Sequence, residues 1–162
     1  MIETHRVRAA QRGDTVAMNE ILDALTPYVG RICGPIALTD GPDAAQEALI
    51  AIFRGLRALE TPEALFGWAR AIAVREAVRV ARRGQRQPAE LADLPAADDP
   101  QLAVDVRDVL RRLSPEHRAV LVLRDLEGMD EQTAAAVLEV PAGTAKSRLH
   151  RARASFRKAW RS

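Results

Sequence analysis

The chain has 162 residues, 48% of them hydrophobic, 28% charged and 4% aromatic, with a formal net charge of +2. These values fit a helix-rich soluble protein of one ordinary domain or two small ones with modest cores. Cys33 is the single cysteine, which excludes a disulfide framework and a thiolate metal site, and His5, His117 and His150 have no ligand spacing, so neither metal nor cofactor is expected. The polar start M-I-E-T-H-R-V-R lacks an apolar leader and no run is long enough to span a membrane, so the expected location is cytoplasmic.

Taken in order, the elements read as helices. A short helix over Glu3–Arg12 stops at Gly13-Asp14. A longer one follows with Met18, Ile21, Leu22, Leu25, Tyr28, Val29 and Ile32 on one face, interrupted at Pro27. Gly34-Pro35 and Thr39-Asp40-Gly41-Pro42 read as breakers, and Asp43 stands at a helix start. The next helix, Asp43–Leu59, turns Ala45, Leu49, Ile52, Phe53 and Leu56 inward. Another runs from Glu63 to Arg83, after Glu60-Thr61-Pro62.

The stretch after Gly84 has no sustained apolar period, and residues 84–104 hold 1 basic against 4 acidic side chains. It reads as a flexible acidic linker. A helix is then expected over Leu102–Leu113. Ser114 caps a second, strongly apolar helix with Pro115 in its first turn, running to Leu126 and stopping at Gly128. The fold class is therefore all-α, as two small helical domains, residues 1–86 and 105–162, joined by the linker 87–104.

Residues 128–158 carry the most information. Two short helical patterns flank a break at Leu138-Glu139-Val140-Pro141, and the second places Ala145, Leu149, Ala152 and Phe156 on one stripe. Its other faces are polar or cationic, and no Asp or Glu follows Glu139. Residues 105–162 hold 12 basic and 8 acidic side chains, so the positive excess sits beside this helix. A helix, a turn and a basic helix make a helix-turn-helix, whose second helix lies in the DNA major groove.

These residues resemble the extracytoplasmic-function sigma factors, small promoter-specificity subunits of bacterial RNA polymerase. L-S-P-E-H-R-A-V-L-V-L-R-D-L-E-G is similar to the start of their region 4, and V-P-A-G-T-A-K-S-R-L-H-R-A-R to its recognition helix. R-A-A-Q-R-G-D, P-D-A-A-Q-E-A-L-I-A-I-F-R-G-L and G-W-A-R-A-I-A resemble their region 2, and the likeness covers about residues 6–160. It implies a non-catalytic subunit that binds core polymerase at its clamp and flap regions, recognises −35 and −10 promoter elements and aids melting. It also implies an anti-sigma partner and no membrane contact.

On the recognition helix, Thr144, Ser147, His150 and Arg151 lie opposite the apolar stripe, the last three best placed for base edges. Lys146, Arg148 and Arg153 flank them and suit phosphates. Arg75, Arg79, Arg82 and Arg83 form a second cationic stripe, although the family usually has Asn and Asp where Arg75 and Arg79 stand. Trp68 is read as core rather than as a stacking platform. The loop holding Glu60 and Thr61 resembles the one that captures a flipped −10 base. Asp43, Gln46 and Glu47 match the polymerase-binding helix and share one face at i, i+3, i+4. Glu139 occupies the turn position where the family usually has Gly, so a left-handed residue is expected there. The other reading is a stand-alone helix-turn-helix regulator, separable by pull-down with core polymerase; no catalytic set supports an enzyme.

Overall fold

The computed structural model describes residues 2–84 and 100–162, with side chains from 105 onward in the second stretch. Among the described residues every regular element is helical. In chain order these are α1 (Thr4–Gln11), α2 (Thr15–Ala37), α3 (Gly41–Gly55), α4 (Leu65–Gly84), α5 (Pro100–Arg111), α6 (Pro115–Leu121), α7 (Glu131–Leu138) and α8 (Ala142–Arg161). The expected linker falls, up to residue 99, outside the described residues, and α5 takes in its last five positions.

The first unit is built on α2, α3 and α4, which pack on one another, with α1 laid against α2. Asp14 starts α2 by accepting the Ala17 N–H at 3.0 Å. The helix then runs through both Pro27 and Pro35, contrary to the break expected at Gly34-Pro35. An interior proline costs about 3 kcal/mol. Here Ile21 and Leu25 before Pro27, and Val29, Ile32, Cys33 and Ile36 after it, are all buried, and each large apolar side chain returns about 1.5–3 kcal/mol.

Helix α2 ends at Leu38, whose backbone has φ 55° and ψ −116° and whose N–H bonds the Gly34 carbonyl. Holding a leucine in that region costs on the order of 1–3 kcal/mol. The side chain stays buried, and the reversal brings α3 close under α2. A Cβ on Gly41 would lie 3.3 Å from the Gly34 Cα, so glycine keeps this approach open.

On α3 the buried residues are Ala44, Ala48 and Ile52, with Leu56 just beyond. Phe53 departs from the expected inward set: it is 53% exposed, and Ile50 is 43% exposed. Period four from Ala44 uses the small residues against α2 and α4, which rotates Phe53 outward. Trp68 is half-buried against the core, its ring over Gly55, as expected.

In the second unit α6, α7 and α5 pack on α8. Ser114 caps α6, accepting the His117 N–H at 3.2 Å, with Pro115 in the first turn. The expected helix to Leu126 is regular only to Leu121; Val122–Leu126 forms a π-helical turn that Gly128 ends at φ 64°.

The two units share one core. Ala119, Val122, Leu123, Met129, Ala134 and Val137 of the second are continuous with the buried residues of α1–α4. Arg118 lies in the same seam, 4% exposed. Its Nε donates to the Ile36 carbonyl at 2.7 Å, and its Nη1 to the carbonyls of Leu113 at 2.6 Å and Leu110 at 3.2 Å.

Candidate nucleic-acid interface

The helix-turn-helix begins with Asp130, whose carboxylate accepts the Thr133 N–H and hydroxyl, both at 2.8 Å. These bonds hold the Asp130 pKa below the usual carboxylate range. Helix α7 ends at Glu139 with φ 58° and ψ 42°, the left-handed conformation expected from its place in the turn. The Glu139 N–H bonds the Ala136 carbonyl at 3.2 Å and the Val140 N–H bonds that of Ala135 at 3.0 Å. This paired closure is the Schellman arrangement, usually made with glycine. Pro141 then leads into α8, whose first turn closes by Ala145 N–H to the Pro141 carbonyl at 3.0 Å.

Helix α8 buries Ala145, Leu149 and Ala152 and half-buries Phe156, the stripe read from the sequence. Lys146, Ser147, His150 and Arg151 are exposed together, and Arg151 leans to the Ser147 hydroxyl at 3.5 Å. Thr144 is half-buried, its carbonyl accepting the Ser147 hydroxyl. Arg153 is held by Asp125, Nε to Oδ2 at 3.1 Å, and that carboxylate raises its pKa. Arg148 is half-buried and lines the cleft between α4 and the α7–α8 turn. His117 sits behind α8, its pKa lowered by burial and then by Arg148 and Arg151.

The second cationic stripe is occupied. Arg75 lies 3.4 Å from Glu139 and donates to the Val137 carbonyl at 3.3 Å. Arg79 pairs with Glu76 and Glu47, Arg83 with Glu47 at 3.0 Å, and Arg82 with Glu116. A cleft of about 620 Å³ remains here, with Arg75, Arg79, Arg82, Arg83 and Arg148 around Val74, Val78 and Val137. Glu60 and Thr61 are exposed on the loop before α4. The α4 arginines thus stay exposed but carry carboxylate partners: Arg75 meets the end of α7, Arg82 meets α6, and Arg79 and Arg83 pair within the first unit.

On α3, Asp43 and Gln46 are exposed, while Glu47 faces the arginines of α4 and is held charged, its pKa lowered by Arg83 and Arg79. Ile50 and Phe53 continue the Asp43–Gln46 face at helical spacing. Sequence reading missed them because an apolar stripe wider than the core needs looks the same as one that is buried. Arg118 was missed as well, though a lone arginine inside the apolar run of α6 marks a buried cation seeking acceptors.

Residues 103–156 match the family model described as Sigma-70, region 4. An ECF RNA polymerase sigma factor SigE of Mycolicibacterium smegmatis is 33% identical over 131 residues, 73% of this chain and 51% of that protein. The RNA polymerase sigma-H factor of Pseudomonas aeruginosa is 30% identical, over 94% of this chain and 91% of its own length. The chain belongs to the ECF RNA polymerase sigma factors. In fold, this sigma factor is similar to the sigma factor RpoE from Bartonella quintana, solved in complex with the anti-sigma factor NepR, with a TM-score of 0.72 and 22% identity over 88% of this chain and 96% of that one. As a sigma factor it is a promoter-specificity subunit of RNA polymerase. The α7–α8 pair is the helix-turn-helix of its region 4. Among the described residues no helix is long and apolar enough to cross a membrane.

Proposed function

We propose that residues 1–86 and 105–162 divide the sigma factor's work, the first gripping core polymerase and the −10 element and the second reading the −35 element. The observation that carries this is the exposed set Lys146, Ser147, His150 and Arg151 on a helix fixed by a closed turn. Ser147, His150 and Arg151 meet base edges in the major groove, where hydroxyl, imidazole and guanidinium can each discriminate donor and acceptor patterns. Lys146, Arg148 and Arg153 hold phosphates, the latter two after leaving the seam and Asp125. Arg75, Arg79, Arg82 and Arg83 neutralise the −10 strand, and Glu60 and Thr61 border the flipped base.

Asp43, Gln46 and Glu47, extended by Ile50 and Phe53, dock on the clamp region of the polymerase. A mostly apolar groove of about 350 Å³, lined by Pro35, Val106, Leu110, Leu121, Leu126 and Phe156, suits an apolar helix from the flap region. An anti-sigma factor competes for these surfaces, since covering either one prevents assembly, and the protein acts in the cytoplasm beside its polymerase. Run-off transcription with purified core polymerase and genomic fragments tests the reading. Discrete start sites that depend on this chain are expected; no transcript above core alone overturns it.

A further inference from the structure

We propose that the cleft between α4 and the α7–α8 turn binds a small nucleoside polyphosphate, its adjacent phosphates held by arginines and its base and ribose laid on an apolar floor. The site stands on the geometry of the cleft; its consequence for promoter binding rests on the division of labour proposed above.

The cleft has a volume of about 620 Å³, inside the range of about 300–1,000 Å³ that encloses small ligands. The charged side chains on its walls are Arg75, Arg79, Arg82, Arg83 and Arg148 against a single carboxylate, that of Glu116. Glu47, Glu76 and Glu139, which also pair with this set, lie outside the lining and hold the guanidinium groups from there. Even with them included, five cations meet four carboxylates, because Arg79 and Arg83 share Glu47. Arg148 is the one left over: half-buried, it has no carboxylate partner among the described residues. A partly desolvated cation without a counter-charge calls for an anion. Arg75 commits its Nε, to Glu139 and the Val137 carbonyl, and keeps its two terminal nitrogens as donors.

These groups set the class of ligand. A guanidinium fork takes phosphate oxygens in pairs, and a row of forks on α4 with another entering from α8 suits linked phosphates better than one alone. Val78, Leu138 and Val140 are half-buried among the arginines and offer an apolar surface that bare phosphate leaves uncovered. A ribose and a flat base cover it, with a guanidinium at hand to stack on the base. A DNA strand tracking α4 needs only the row on that helix, whereas Arg148 belongs to the wall contributed by the second unit. Exposed ion pairs hold weakly, so incoming phosphates readily displace Glu139 from Arg75 and Glu47 from Arg83. A bound triphosphate then occupies the arginines that the −10 strand uses, and nucleotide and single strand exclude each other.

Calorimetric titration of the full chain at low ionic strength, without magnesium, tests the site with guanosine triphosphate, adenosine triphosphate, guanosine monophosphate and inorganic triphosphate. One or both nucleoside triphosphates should saturate at one per chain, with the monophosphate and inorganic triphosphate weaker by about tenfold or more. Arg75→Gln and Arg148→Gln should each weaken binding several-fold. Arg161→Gln, at the exposed end of α8, should leave it unchanged. No saturable binding, no loss in the Arg75 and Arg148 variants, or an equal loss in all three overturns the site. Inorganic triphosphate bound as tightly as the nucleotides overturns the nucleoside as ligand. Competition is read with a labelled single-stranded oligonucleotide of random sequence, whose binding should fall several-fold at saturating triphosphate. An oligonucleotide that does not bind, or that the triphosphate leaves in place, overturns the competition and the use of the α4 arginines on the −10 strand, while the calorimetry still decides the site.

Discussion

Arg118 and Ile36 join the two halves of the chain through one hydrogen bond, Nε to the main-chain carbonyl at 2.7 Å, between residues 82 apart in sequence. The same guanidinium closes the carbonyls of Leu110 and Leu113 at the end of α5. A cation set among helix C-terminal carbonyls meets partial negative charge from two helices at once. Burial pushes its pKa down to about 10, and it stays charged at neutral pH.

Replacing Arg118 by Met should therefore destabilise the protein by roughly 3 kcal/mol, because buried carbonyls lose their donor at about 1–3 kcal/mol each. Lys should fall between, since one ammonium cannot span acceptors on both helices. Chemical denaturation of the full chain measures both. A Met variant within about 1 kcal/mol of the parent would show that water satisfies those carbonyls.

Glu139→Gly should raise the thermal midpoint. Relief of a left-handed residue is worth roughly 1–2 kcal/mol, more than the lost exposed pair with Arg75, worth at most about 1 kcal/mol. The gain should be larger in an Arg75→Ala background, and the difference is the coupling between the two residues. Equal gains in both backgrounds would mean that the pair contributes no coupling.

For polymerase docking, Asp43, Gln46 and Glu47 replaced together by Ala should weaken core binding with helicity intact. Phe53→Ser should do the same at little cost in stability, because that ring is already 53% exposed. A central aromatic anchor is worth about 2 kcal/mol or more, a loss of at least tenfold in affinity. Co-elution with core polymerase at unchanged concentration would remove this face from consideration.

On DNA, Arg151→Ala should cost roughly 1–3 kcal/mol on the right −35 site and relax sequence choice there. Lys146→Ala should weaken all sequences alike and reduce the salt slope by about one. Binding profiles over a randomised site at several salt concentrations separate the two; identical profiles would merge the roles assigned to them.

His117 predicts a pH dependence. Its folded pKa lies below the ordinary 6.5, through burial first and then the charges of Arg148 and Arg151. Above pH 6.5 the ring is neutral in both the folded and unfolded states and no stability is lost. As the pH falls through 6.5 and towards the folded value, the unfolded chain takes up the proton more readily, and stability declines. His117→Gln should flatten the profile below pH 6.5. Bound DNA should raise the His117 pKa, its phosphates offsetting the two arginines; a titration by nuclear magnetic resonance with and without the −35 duplex measures this.

Local chemistry alone determined much of this protein. Whereas the left-handed Glu139 is implied by the family resemblance, the α8 stripe of Ala145, Leu149 and Ala152 and the Ser114 cap follow from spacing and from backbone preferences that act within a few residues. The cationic recognition face was legible for the same reason: side chains at three- and four-residue intervals share a helix face whatever else the chain does. Tertiary structure decided the rest. Pro35 stays helical because the apolar residues around it are buried, a gain that exists only once α3 and α4 are in place. Phe53 points outward because Ala44 and Ala48 let the helices approach on the neighbouring face, which no periodicity of α3 alone distinguishes. The arginines of α4 form a DNA stripe by spacing, but in the fold Arg79 and Arg83 pair with Glu47 of α3, and Arg75 and Arg82 meet Glu139 and Glu116 only when the second unit docks. Charge pairing across 34 to 64 residues of sequence is a property of that docking, and local propensity carries no trace of it.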